Sequence, residues 1–205
     1  MSSTLGSVKD APPPLPSLPA QAPKKKGAFA RALGRAVLWI GGWRVVGEFP
    51  DLPRLVIIAA PHSSAWDAIW GLAVKLALGI DLVFMAKREV FVGPVGWLLR
   101  WLGGIPIDRK APGGVAAQIA GRMRSREQMW FALAPEGTRR HVTRWKTGFW
   151  HIARRADVPV LCAWFHYPDR TVGLGPLVEL TDDVDADLAR LRTIYAPHMG
   201  KHRGV

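Results

Sequence analysis

The sequence predicts an α/β domain, a mixed and mostly parallel sheet flanked by helices around one core. Three observations carry this. Short, wholly apolar runs such as residues 55–60 (LVIIAA) read as strands buried on both faces. They alternate with longer segments of helical periodicity. The chain has 205 residues, 49% of them hydrophobic, enough for a single core without staples. Its one cysteine, Cys162, excludes an intramolecular disulfide.

Residues 1–27 are rich in proline (Pro12, Pro13, Pro14, Pro16, Pro19, Pro23) and end in Lys24-Lys25-Lys26. That composition predicts a solvated, disordered leader, or alternatively a flexible tether to anionic lipid. The remaining residues, 28–205, form the domain. Residues 29–43 read as an amphipathic helix, because Phe29, Ala32, Leu33, Ala36, Val37 and Ile40 recur at i, i+3, i+4 and Gly41-Gly42 ends the pattern. Strand 55–60 follows, then helix 66–78, strand 82–86, helix 95–102 and a short extended piece at 105–107. Helix 115–124, strand 130–134, helix 149–156, strand 158–165 and a closing helix at 185–198 complete the order. The acidic stretch from Glu179 to Asp187 suits a loop and the positive end of that last helix.

No secretory signal is visible, since the N-terminus lacks an apolar run. Nor is there a membrane-spanning run of about 20 apolar residues. Residues 90–107 are interrupted by Gly93-Pro94, Arg100 and Gly103-Gly104, and residues 68–84 by Lys75 and Asp81.

The net charge of +12 predicts an anionic partner: nucleic acid, anionic lipid or an acidic protein. No helix-turn-helix, zinc-finger or RNP pattern supports nucleic acid, and charge alone confers only non-specific attraction. Walker, G-x-G-x-x-G and G-x-S-x-G patterns are also absent. The six histidines show no metal-binding spacing. Cys162 lies inside an apolar run and reads as a buried thiol rather than a nucleophile.

Four stretches follow or open strand-like runs. The first is Pro61-His62-Ser63-Ser64-Ala65-Trp66-Asp67. Within one helix, positions five apart point about 140° away from each other. His62 and Asp67 therefore meet only if His62 lies in the turn and Ser63 or Ser64 caps the next helix. The carboxylate would then orient the imidazole as in a catalytic base–acid pair; a surface histidine near a cap is the simpler alternative. The second is Pro135-Glu136-Gly137-Thr138-Arg139-Arg140, with a glycine that permits close approach, a hydroxyl, and a guanidinium suited to phosphate. A charged turn is the alternative there. The third runs from Gly104 to Arg109, and the fourth is Val158-Pro159-Val160.

In this order the four stretches resemble the blocks of the glycerolipid acyltransferase superfamily, which includes the 1-acyl-glycerol-3-phosphate acyltransferases. The resemblance covers roughly residues 45–180. Met85-Ala86-Lys87-Arg88-Glu89 resembles the family's segment ahead of its second block. The resemblance implies acyl transfer from acyl-CoA or acyl carrier protein to the hydroxyl of a lysophospholipid, at the cytoplasmic face of an anionic membrane and with no metal or organic cofactor. It implies His62 as general base and Asp67 as its orienting partner. Glu136, Gly137, Thr138, Arg139 and Arg109 would hold the acceptor, with Lys87 a further phosphate contact. Departures stand at Pro61, where the family often has Asn, at Arg140, where it often has Ser, and at Leu161-Cys162, which lacks its second proline. These bear on the acceptor, so a lyso-ornithine or pigment-type lipid is the alternative to 1-acyl-glycerol-3-phosphate, and a non-catalytic relative is a further one.

Tryptophans recur at helical spacing: 39 and 43, 66 and 70, 97 and 101. They suit either core packing or a membrane interface. Phe91, Trp97, Leu98, Trp101 and Leu102 with Arg100 would form such an interfacial face. Trp70, Val74 and Leu78 are candidates to line an acyl-chain tunnel.

Overall fold

A computed structural model describes residues 14–107 and 114–205. It contains seven strands: β1 Arg44–Val46, β2 Arg54–Ala60, β3 Leu82–Lys87, β4 Gly104–Ile107, β5 Met129–Leu133, β6 Val160–His166 and β7 Thr171–Val178. The helices are α1 Ala28–Gly41, α2 Trp66–Leu78, α3 Gly93–Trp101, α4 Gly114–Arg124, α5 Gly148–Ala156 and α6 Val184–Tyr195. One sheet holds all seven strands in the order β1-β7-β6-β2-β5-β3-β4. Every neighbouring pair is parallel except β6 and β7.

The alternation along β2 explains the layers. Val56, Ile58 and Ala60 face one side, where they pack with Ile119 and Met123 of α4, Phe149 and Ile152 of α5, and Leu191 of α6. Leu55 and Ile57 face the other, with Trp130, Leu161 and Ile80. Beyond them on that side, Ala73, Val74 and Ala77 of α2 pack with Leu38 of α1. The sheet is thus covered on both faces, as a parallel sheet requires.

The predicted elements are present, with ends shifted by up to three residues, and two strands were not foreseen. β1 has only three residues. β7 contains Gly173, Gly175 and Pro176, which read as a loop. Both glycines lie under the Trp164 ring, and a Cβ on Gly173 would fall 2.1 Å from it. Pro176 lies past the end of β1, whose pairing stops at Gly173.

One expectation is corrected. The leader is not free throughout: from residue 14 it packs on the body. Leu15, Leu18 and Ala22 fill apolar grooves, with Ala22 2% exposed. Gln21 N donates to Asp51 Oδ1 at 2.8 Å, and Lys24 bridges to Ile80. Prolines that fix an extended backbone lower the entropy cost of such docking. Residues 1–13 lie outside the described residues. The apolar stripe of α1 faces away from the core. Gly34 and Leu38 are the buried positions, whereas Phe29 and Ile40 are 83% and 77% exposed. The reason is Gly34: a Cβ there would lie 2.4 Å from Ala77 N, so the helix rests on α2 by its smallest residue.

Candidate active site

Three adjacent parallel strands place the site. β2 lies between β5 and β6, with Ile58 level with Leu133 and Ala60 level with Trp164. The segments leaving their carboxyl ends therefore emerge side by side, where open α/β sheets bind ligands. His62 leaves β2, Glu136 and Gly137 leave β5, and Tyr167 leaves β6.

His62 lies in the turn after a cis Ala60–Pro61 bond, ahead of α2. Its Nδ1 is 3.1 Å from Asp67 Oδ2. Asp67, in the first turn of α2, is 1% exposed. The same Oδ2 accepts the Ser63 and Ser64 N–H groups at 2.8 and 2.9 Å. Tyr167 Oη donates to Oδ1 at 2.6 Å. Burial alone would raise the Asp67 pKa; the bonds from His62, Tyr167 and Ser64 outweigh it and hold the carboxyl below its ordinary value. Tyr167, buried beside that carboxylate, is pushed well above the usual phenol range. Asp67 is thus ionised and fixed, and it holds the imidazole by Nδ1, so a proton can be taken at Nε2.

The turn after β5 faces this pair. Gly137 adopts φ 64°, and the Lys146 side chain crosses it so closely that a Cβ would lie 2.8 Å from Lys146 Cδ. His62, Met85, Ala132, Gly137, Thr138 and Arg139 border an open cleft of about 420 Å³. Thr138 Oγ1 accepts from Arg140 N at 3.2 Å. Glu136 differs from expectation. It is 1% exposed, and its carboxylate braces the turn instead of lining the cleft. Oε1 accepts the His62 N–H at 2.9 Å and Oε2 accepts Arg203 Nη2 at 2.6 Å. The Lys87 side chain and Arg109 lie outside the described residues.

A second space lies between α2 and the sheet. It is an apolar cavity of about 320 Å³, bordered by Ile57, Leu72, Val74, Phe84, Phe165 and Leu174 among others. Ala132 borders both this cavity and the cleft. Of the tunnel candidates, Val74 lines it, whereas Trp70 stacks between Trp43 and Trp66. Lys75 is buried in its wall, donates to Ile80 O at 2.9 Å, and has its pKa pushed down to about 8 by burial. Cys162 is buried, and burial raises its thiol to about 11. The tryptophans divide: Trp43, Trp130 and Trp145 are core, while Trp39, Trp66, Trp97 and Trp101 are exposed. Among the described residues no helix is long and apolar enough to cross a membrane, and no cluster of His, Cys, Asp or Glu could hold a metal ion.

Sequence reasoning missed Tyr167, Lys146 and Arg203. None of the three left a signal in the sequence, since each reaches the site through the tertiary fold.

An oriented imidazole at the carboxyl edge of the sheet, with an apolar cavity bordered by the same strand β2, suits an enzyme that moves an apolar group onto a nucleophile. A family model described as Acyltransferase matches residues 47–166, more than half of the chain, and the chain belongs to that family. It is an acyltransferase. Its fold is similar to that of the 1-acyl-sn-glycerophosphate (LPA) acyltransferase PlsC from Thermotoga maritima, at 20% identity and a TM-score of 0.55, over 78% of this chain and 76% of that one. No curated protein sequence matches the chain.

Proposed function

We propose that the protein transfers a fatty acyl group from acyl-CoA or acyl carrier protein to the free hydroxyl of 1-acyl-glycerol-3-phosphate, giving phosphatidic acid. The observation that carries this reading is the His62–Asp67 contact at 3.1 Å beside the cleft that Arg139 borders. His62 Nε2 takes the acceptor's hydroxyl proton as the oxygen attacks the thioester carbonyl. A C–O bond forms and the carbonyl becomes a tetrahedral oxyanion. Its collapse breaks the C–S bond, and the imidazolium returns its proton to the departing thiolate. Buried, ionised Asp67 stabilises that imidazolium throughout. No step calls for a metal or organic cofactor.

Arg139 and Lys146 supply positive charge for the acceptor's phosphate, with the Lys146 stem lying over Gly137. The apolar cavity beside Ala132 receives the acyl chain. The exposed Phe29, Leu33 and Ile40 of α1 and Trp97, Leu98 and Trp101 of α3 dock the enzyme on a membrane. Lys25 joins the two helices, with its ammonium over the Trp101 ring.

The test is mass-spectrometric detection of product from an acyl thioester, with lysophosphatidate and neutral monoacylglycerol as rival acceptors. Phosphatidic acid should dominate. Arg139→Ala should raise KM about 10-fold or more for lysophosphatidate and little for the neutral acceptor, the loss of a charge-assisted contact. Equal use of both acceptors, with equal effects of the substitution, would remove the phosphate site.

A further inference from the structure

Arg203 lies outside the matched family region and far along the chain from the residues it touches. Its Nη2 donates to Glu136 Oε2 at 2.6 Å and to Arg140 O at 2.8 Å, with longer contacts to His62 O at 3.3 Å and Arg139 O at 3.4 Å. One cationic nitrogen thus joins the loop that carries His62 to the turn that carries Gly137 and Arg139. Glu136 completes the bridge, because its other oxygen holds the His62 N–H at 2.9 Å.

The segment bearing Arg203 is itself seated on the histidine loop. Gly200 N donates to Arg203 O at 2.9 Å, closing a turn. His202 N donates to Ser63 Oγ at 3.3 Å. Gly200 lies so close to this loop that a Cβ would fall 2.6 Å from Ser63 Oγ. Tyr167 N donates to Met199 O at 2.9 Å, so the residue that holds Asp67 is tied to the same segment.

We propose that Arg203 is a positioning residue: acting through Glu136, it sets the spacing between His62 and the Gly137 turn opposite. This rests on His62 being the base. Without Arg203, the buried Glu136 carboxylate would keep a single donor, the His62 N–H, for its two oxygens, a cost that makes it turn away or draw in water. In either case the brace on the His62 N–H weakens. A misplacement of about 1 Å at a reacting group costs on the order of 100-fold in rate.

Three variants test this: Arg203→Met, Glu136→Gln, and the two combined. Each is measured for kcat and KM, for melting temperature, and for amide hydrogen exchange. Arg203→Met should lower kcat about 10- to 100-fold with a much smaller change in donor KM. Exchange at the His62 amide should speed up by about tenfold or more, while β2 and β5 amides keep their protection. The combined variant should lose less than the product of the two single losses, because the stranded carboxylate is gone. Unchanged kcat and unchanged His62 exchange in a folded Arg203→Met protein would overturn the proposal. So would a loss of protection spread evenly over the sheet, which marks a merely structural role. If Arg203→Met does not fold, Arg203→Lys replaces it: faster His62 exchange supports the proposal and unchanged exchange defeats it. The exchange measurement needs no substrate. A protein that does not acylate lysophosphatidate but shows this exchange pattern would refute the acceptor assignment and leave the positioning role standing.

Discussion

The carboxyl edge of the sheet and the outer surface of α1 and α3 break the usual burial rule in opposite directions. At the edge, polar groups go inside: Asp67 and Glu136 are each 1% exposed, and every carboxylate oxygen has a donor. On the outer surface, large apolar groups stay outside: Phe29, Ile40 and Trp97 are 83%, 77% and 68% exposed. A buried charge held by several bonds is fixed in place, which a general base and its partner require. A contiguous exposed apolar face serves contact with something else. On the proposed function, the chemistry belongs to the rigid edge and attachment to the helices beside it.

The largest expected effect breaks the edge. Asp67→Asn keeps the shape but removes the charge that supports an imidazolium, so kcat should fall by about 100- to 10,000-fold. Vesicle binding should be unchanged, and sedimentation with liposomes checks that half. Breaking the other region should reverse the pattern. Ile40→Ser with Trp97→Ser should weaken binding to anionic vesicles by about 10- to 100-fold, since each loses part of the roughly 1.5–3 kcal/mol of an apolar side chain's transfer. Turnover on a detergent-dispersed acceptor should be little changed. Turnover and vesicle binding that fell together in either variant would merge the two regions.

The smallest effect lies between them, at Lys75. Its folded pKa of about 8 is below the ordinary 10.5. The unfolded chain therefore binds more protons between pH 8 and 10.5, and stability should rise with pH across that window. Relative to Lys75→Met, wild type should gain about 2 kcal/mol between pH 7.5 and 10, read from urea denaturation. A flat difference would place the ammonium in water.

The edge was legible where its parts are local in sequence. His62 follows an apolar strand and lies five residues from Asp67; Gly137 follows another such strand. Their pairing followed from family resemblance, and the geometry beneath it is the parallel registry of β2 with β5. Tyr167 and Arg203 were not legible, because they reach the site only through the tertiary fold, 100 residues from Asp67 and 67 from Glu136. Nor did the pattern of Glu136 reveal that its carboxylate turns inward. At the outer surface the limit was different. Periodicity in α1 showed that one face is apolar but not what that face meets, and the core side was chosen by Gly34, a residue that adds nothing to an apolar stripe. β7 was hidden for a related reason, since the glycines that admit Trp164 look like loop.

The most direct test of the central claim is thiol release from acyl-CoA with lysophosphatidate present, compared between wild type and His62→Ala at matched folding. The account predicts release that depends on the acceptor and falls by at least about 100-fold in the variant. Acceptor-dependent release at an undiminished rate in His62→Ala would contradict it, and would move the base away from the carboxyl edge of β2.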